Sequence, residues 1–355
     1  PHPIPRRQRQ MCIRDRAEVE YEEHVSPTIF VKFPVKQADN HALTDGVSAV
    51  IWTTTPWTIP GNRAMAFSKS LSYGLYQVGD DKLILSDDLA ERAMNAADIT
   101  DFQRLRDVEP EGLICAHPFA GQGYDFDVPI LAGDFVTAET GTGLVHIAPG
   151  HGQDDFELGL KHQIEVPFTV NEAGVYFDHV PIFAGKKVLD ENGKNGDANG
   201  AVITALIEAN ALFAKGKLRH QYPHSWRSKA PLIFRNTPQW FVSMEHDNLR
   251  DKALKAIDEV NWFPKAGRNR IYAMIENRPD WVLSRQRAWG VPLTVFIHQQ
   301  SGEILRDEAV NQRIVEAVKA QGADAWFNTD PQVFLGDIYQ AEDYEQVTDL
   351  SLIHI

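Results

Sequence analysis

Strand-forming runs crowd the first half of the chain, and they most constrain what it can fold into. "TIFVKFPV" (28–35) and "GVSAVIWTTT" (46–55) are rich in β-branched residues and partly alternate. That pattern suits a pleated sheet with one buried face. "YGLYQVGDDKLILS" (73–86) reads as a hairpin turning at Gly79-Asp80-Asp81. "DVPILAGDFV" (127–136) and "GTGLVHIAP" (141–149) continue the β pattern. Helices are predicted over 87–97, with Asp87 near the start, and from about Asp154 through "FELGLKH".

The character changes after Lys187. "LDENGKNGDANG" (189–200) is a polar loop, and residues 201–213 read as an apolar helix. Basic and aromatic residues follow, among them Lys215, Lys217, Arg219, His220 and His224. Helical patterns return at 247–259 and 308–320, and no internal repeat is present. A domain boundary is placed at about residue 220. With 355 residues and 43% hydrophobic composition, two domains are expected. Residues 1–16 and 350–355 look foreign to the rest and are expected to be non-native or disordered.

Bulk properties exclude several classes. No apolar run is long enough for a membrane helix, and no secretory signal is seen. Two cysteines, Cys12 and Cys115, cannot build a disulfide framework or a four-cysteine zinc site. A reducing cytoplasm is the expected setting. The net charge of −14 argues against a non-specific nucleic-acid binder, yet leaves room for a local basic face.

Two stretches carry the chemistry. "GTGLVHIAPGHGQDDF" (141–156) holds His146, His151, Asp154 and Asp155. The two histidines are five positions apart across a proline and a glycine, which matches no standard zinc spacing, so no metal is expected. One aspartate is expected to cap the following helix, and the second is free to meet a substrate cation. "WTTTPWTIPGN" (52–62) ends a strand in three threonines. Their hydroxyls donate and accept, and β-branching makes them stiff walls. A threonine-lined slot facing a carboxylate suits a small molecule bearing an ammonium group.

Together these stretches resemble the two signature stretches of the editing domain of isoleucyl-tRNA synthetases. "PHSWRSKAPLIFRNTPQWFVSM" (223–244) and "NRPDWVLSRQRAWGVPL" (277–293) resemble the same enzymes where their class I catalytic domain resumes. The likeness spans roughly 17–349 and looks bacterial. It implies a mixed α and β fold: a β-barrel-like editing domain (17–220) inserted in a Rossmann-like catalytic domain, only the later part of which (221–349) is present. Valyl and leucyl relatives typically carry Arg-Pro-Glu or Arg-Pro-Asp where this chain has Thr55-Pro56-Trp57. An editing piece of such a relative and an inert tRNA-binding piece remain the alternatives.

The resemblance implies hydrolysis of valyl-tRNA(Ile) or valyl-adenylate. A hydrophobic pocket separates isoleucine from valine only about 150-fold, so a second, smaller site is needed, and this synthetase is a standard illustration of the point. By similarity, Asp155 anchors the α-ammonium group. Thr53, Thr54, Thr55 and Thr58 wall the amino acid and terminal ribose, His146 narrows the pocket against isoleucine, with a general-base role as the lower-ranked alternative, and Asn62 lies near the ester. Trp289 matches a wall of the synthetic isoleucine pocket. Arg285 and Arg287 are open between contacting tRNA phosphate and pairing with acids. Lys215, Lys217 and Arg219 are the expected tRNA face, with Lys229 and Arg235 as further candidates. The His-Ile-Gly-His and Lys-Met-Ser-Lys-Ser signatures are absent, so ATP and magnesium are implied for the whole synthetase and no cofactor for this chain. Partners implied are tRNA(Ile), isoleucine and valine, with a cytoplasmic monomer expected.

Overall fold

The computed structural model describes residues 19–38, 44–226, 228–237, 239–285 and 290–351. The chain divides into two compact units between Asn236 and Thr237.

The first unit is built around a ten-stranded sheet. Its backbone is β1 (Val19–Gln37), nineteen residues long. The first part of β1 pairs antiparallel with β10 (Leu212–Ser225), Val19 opposite Ser225 and Val31 opposite Leu212. Ile29 to Pro34 pair with β2 (Val47–Thr53), and Val35 and Gln37 reach β7 (Ile114–Ala116). From β7 the ladders run to β8 (Asp127–Ala132), then β3 (Ala64–Phe67), then β9 (Leu144–Ile147). A single pairing, Trp52 with Val145, joins β9 to β2. The hairpin of β4 (Tyr73–Val78) and β5 (Asp81–Ser86) turns at Gly79, whose φ of +56° lies in the left-handed region. The edge strand β6 (Gln103–Asp107) flanks β4.

β-branched and aromatic side chains on these strands supply the core. Ile29, Val31, Phe33, Ile51, Phe67 and Trp57 are all buried in one cluster. Among the described residues, three α-helices pack around the sheet: α1 (Asp87–Ala96), α2 (Gln153–Lys161) and α3 (Ala198–Glu208).

Two expectations need correction. The helix expected over 201–213 begins earlier and stops at Glu208, because Asn210 takes a left-handed conformation (φ +53°) and turns the chain into β10. The division also falls beyond residue 220, since β10 crosses that position while paired with β1 throughout.

The second unit has a small core of Phe296, Val310, Ile314, Trp326, Phe334 and Leu335. Its longer helices are α4 (Leu249–Glu259), α5 (Ala266–Glu276) and α6 (Glu308–Gln321). Its ladders are antiparallel and two or three residues long. The parallel sheet of a Rossmann-like domain is therefore not found among its described residues. Leu350 and Ser351, expected to be foreign, form a short strand there against Ser284–Arg285 and Val291–Pro292. Residues 1–16 lie outside the described residues.

Candidate active site

The threonine stretch is held by its own hydrogen bonds. β2 ends at Thr53, and Pro56 opens a buried 3-10 turn, Pro56–Gly61. Proline suits a first helical position because it has no N–H to leave unpaired there. The Thr55 N–H donates to the Thr53 hydroxyl at 3.1 Å. The hydroxyls of Thr53 and Thr55, and of Thr55 and Thr58, are each 3.2 Å apart. Thr58 donates to the Thr55 carbonyl at 2.8 Å. Stiff side chains in a continuous hydrogen-bonded row make a preorganised wall.

The second stretch meets this wall directly. β9 places His146 opposite Met65 of β3. Its Nε2 lies 3.0 Å from the Thr58 hydroxyl and its Nδ1 lies 2.8 Å from the Asn62 amide nitrogen. Burial, and then the neighbouring His151, hold the His146 pKa down to about 3, so the ring is neutral at pH 7. His151 stacks edge-on against Trp57 with ring centres 4.8 Å apart. Its Nδ1 donates to the Phe234 carbonyl at 2.8 Å, and its Nε2 accepts from the Thr169 hydroxyl at 2.6 Å. His151 thus fixes the loop. Gly150 is needed for the same turn, since a Cβ there would sit 2.8 Å from the Pro167 carbonyl oxygen.

The two aspartates differ. Both fall in the first turn of α2, but the N-cap is Gly152, with no side-chain cap bond. The expected aspartate cap is not formed. Asp154 is exposed. Asp155 turns back, and its carboxylate accepts the Ala148 N–H at 2.8 Å. Burial raises its pKa to about 7, against the lowering effect of that N–H, and the Asp154 charge adds to the rise. Glycine at 152 leaves room for it, because a Cβ there would approach the carboxyl carbon to 2.8 Å.

Five of the named residues therefore form one network: Thr53, Thr55, Thr58, Asn62 and His146. Thr54 and Thr55 line a narrow cleft with Trp57, His24, Tyr222 and Asn199. Neither Asp155 nor His146 belongs to the wall of that cleft. Asn199, which accepts the Trp57 N–H at 3.1 Å across 142 positions, was not anticipated. No local sequence signal links partners so far apart. Trp289 and Arg287 lie outside the described residues, and only the backbone of Arg285 is described.

The expected basic face is partly neutralised. Lys215, Lys217 and Arg219 are exposed at alternate positions of β10 and share one strand face. Arg219 is ion-paired with Glu23, and Lys229 with Glu20. Arg235 is half-buried. No group of three histidine, cysteine, aspartate or glutamate side chains able to hold a metal occurs among the described residues. No helix there is long and apolar enough to cross a membrane.

Residues 12–351 match the family model of class I tRNA synthetases for I, L, M and V, and the chain belongs to that family. Among curated relatives, it is 49% identical to the isoleucine--tRNA ligase of Bradyrhizobium diazoefficiens and 50% identical to that of Rhodopseudomonas palustris. Each alignment covers 94% of this chain and 37% of the relative, so the chain spans little more than a third of their length. A solved structure, "The crystal structure of GlLeuRS-CP1", overlays with a TM-score of 0.40 at 14% identity, over 55% of this chain and 99% of that one. The family assignment rests on the sequence match and not on this overlay.

Proposed function

We propose that the first unit is the editing site of an isoleucyl-tRNA synthetase and hydrolyses valyl-tRNA(Ile) or valyl-adenylate. The carrying observation is the continuous row from Thr53 through Thr55 and Thr58 to His146 and Asn62, which joins the two signature stretches. The isoleucine ligases among the relatives support isoleucine, over valine or leucine, as the cognate amino acid. The pairings that run from β1 through β7, β8, β3, β9 and β2 back to β1 support a barrel-like reading of the sheet.

In this reading the threonine hydroxyls hold the amino acid and terminal ribose and orient a water at the ester carbonyl. Positioning and exclusion of bulk water supply the rate. Asp155 takes the substrate ammonium, whose charge favours the ionised carboxylate and counters the effect of burial. His146, buried and neutral, limits the side-chain volume. Lys215, Lys217 and Arg219 meet tRNA phosphate. The whole synthetase would be a cytoplasmic monomer using ATP and magnesium to charge tRNA(Ile). This chain carries neither ATP-site signature.

The test is deacylation of valyl-tRNA(Ile) and isoleucyl-tRNA(Ile) by the chain and by Asp155→Ala. The unchanged chain should clear the valyl ester and spare the isoleucyl one. Asp155→Ala should lose roughly 100-fold or more, the scale expected when a reacting group is no longer held in place. A variant that clears valyl-tRNA at the unchanged rate would remove the anchor role.

A further inference from the structure

Asn62 is fully buried at the end of the 3-10 turn, and its hydrogen bonds are one-sided. Its amide nitrogen donates to the Ala64 carbonyl at 2.8 Å and faces His146 Nδ1, also at 2.8 Å. Its oxygen Oδ1 is buried with no partner among the described residues. The Ala64 carbonyl can only accept, so the amide cannot be turned round without setting two oxygens against each other. The NH2 group therefore donates to both neighbours, and His146 Nδ1 must carry no hydrogen. In a neutral imidazole the proton then sits on Nε2. That N–H points at the Thr58 hydroxyl, 3.0 Å away. Thr58 has already committed its own hydrogen to the Thr55 carbonyl. Every donor in the row meets an acceptor under this one assignment.

We propose that Asn62 is a positioning residue: its amide fixes His146 as the neutral Nε2–H tautomer, so the ring donates to the threonine wall and has no free basic nitrogen for water. The catalytic consequence rests on the editing reading, whereas the tautomer follows from the hydrogen-bond row alone. Fixed in this way, His146 acts as a wall with one donor and not as a general base. Burial reinforces the effect, because it disfavours the protonated ring.

The direct test is nitrogen-15 NMR of the histidines in the full chain at pH 7, with His146→Gln identifying the His146 signals. The expected result is a pyridine-like Nδ1 and a pyrrole-like Nε2, unchanged down to pH 5. The reverse pattern, or signals averaged over both tautomers, would overturn the proposal. Asn62→Asp supplies a second arm. A carboxylate at 62 accepts from Nδ1–H, so the His146 pKa should move from about 3 to above its ordinary value of about 6.5. Valyl-tRNA hydrolysis should fall at least tenfold. Faster hydrolysis would mean that a freed Nε2 serves as a base, and the proposed role would be lost. If Asn62→Asp does not fold, the NMR pattern of the unchanged chain still decides. A chain that hydrolyses no valyl ester would defeat the editing reading and leave the tautomer result standing.

Discussion

The two units solve the burial problem differently. In the first, strands from distant parts of the sequence enclose Phe33, Ile51 and Phe67 at essentially no exposure, and the polar row from Thr53 to Asn62 sits beside that core. In the second, helix α4 buries only Ile257 and helix α5 buries nothing. Phe263 is 93% exposed, and Val260 and Met274 are 53% exposed. Helices gain most of their stability from packing an apolar face, so α4 and α5 hold little of it within the described unit. A site that works by rigid positioning belongs where side chains cannot move, and the row lies in the first unit.

The largest test of this contrast is a pair of truncations. Phe33→Ala should cost the first unit about 3–5 kcal/mol through lost burial and a residual cavity. Phe263→Ala should change stability by no more than about 0.5 kcal/mol, as for an exposed position. Urea unfolding followed by near-ultraviolet circular dichroism would report both. Comparable losses for the two variants would show that the α4–α5 pair is covered in solution, and the contrast would break.

Acid should separate the units next. His117 and His146 are held near pKa 3 and His151 near 4, each by burial. A depressed histidine stabilises the fold above its unfolded pKa of about 6.5, and that contribution is lost as pH falls toward the folded value. Asp155 works the other way. With its pKa raised to about 7, its contribution is full below about 3.9 and is lost as pH rises through 7. Between pH 6 and 5 the three histidines gain protons on unfolding and Asp155 releases one. The net of two costs the first unit roughly 2–3 kcal/mol per pH unit. In the second unit, Asp307 is lowered by the backbone N–H groups it accepts and by Tyr339, so its contribution is lost only below the ordinary carboxylate range. Hydrogen exchange at pH 7 and pH 5 should show protection falling mainly in the first unit. Equal falls in both units would contradict the assigned shifts.

These differences track what the sequence revealed. Alternation and a turn signal were enough for the β4–β5 hairpin, because strand period and a glycine with positive φ are local properties. The two signature stretches were legible as partners, and Thr58 and His146 do meet. What escaped was set by distance or by competition. The apolar run after Ala201 fits a helix or a buried strand equally, and Asn210 decides where one gives way to the other. Helix α5 was not anticipated, since "AGRNRIYAMIE" presents no face that becomes buried. The Asp155 carboxylate bonds a backbone N–H seven residues earlier instead of capping its own helix, and no residue pattern announces that choice. Arg219 looked free in sequence but lies beside Glu23 once β1 and β10 pair.

Specificity should divide the units from the functional side. His146→Ala removes a buried ring and its donor from the first unit. Isoleucyl-tRNA(Ile) hydrolysis should then rise by about 10-fold or more, the scale set by one methylene in a pocket, roughly 1–3 kcal/mol. Phe263→Ala in the second unit should leave the valyl-to-isoleucyl ratio unchanged. If His146→Ala still spares isoleucine, the ring is not the steric limit.

The smallest expected effect compares two helix starts. Asp307 begins α6 with a working cap, accepting the N–H groups of Ala309 at 2.8 Å and Val310 at 3.0 Å, and it also accepts the Tyr339 hydroxyl at 2.9 Å. Asp154 stands in the first turn of α2 with no cap bond, exposed, beside a glycine N-cap. Its remaining contribution is a carboxylate near the positive end of a helix, an effect that salt screens and that fades within a turn. Removing it also relieves repulsion against Asp155, whose pKa the Asp154 charge raises. The two effects oppose, so Asp154→Ala should move stability by less than about 0.5 kcal/mol and leave valyl-tRNA hydrolysis within twofold. Asp307→Ala should lower the melting midpoint of its own unit by more than Asp154→Ala lowers that of the first. Differential scanning calorimetry of both variants at pH 7 measures the difference. A larger fall for Asp154→Ala would mean that this side chain does cap α2 in solution, and the asymmetry between the two aspartates of the first unit would have to be redrawn.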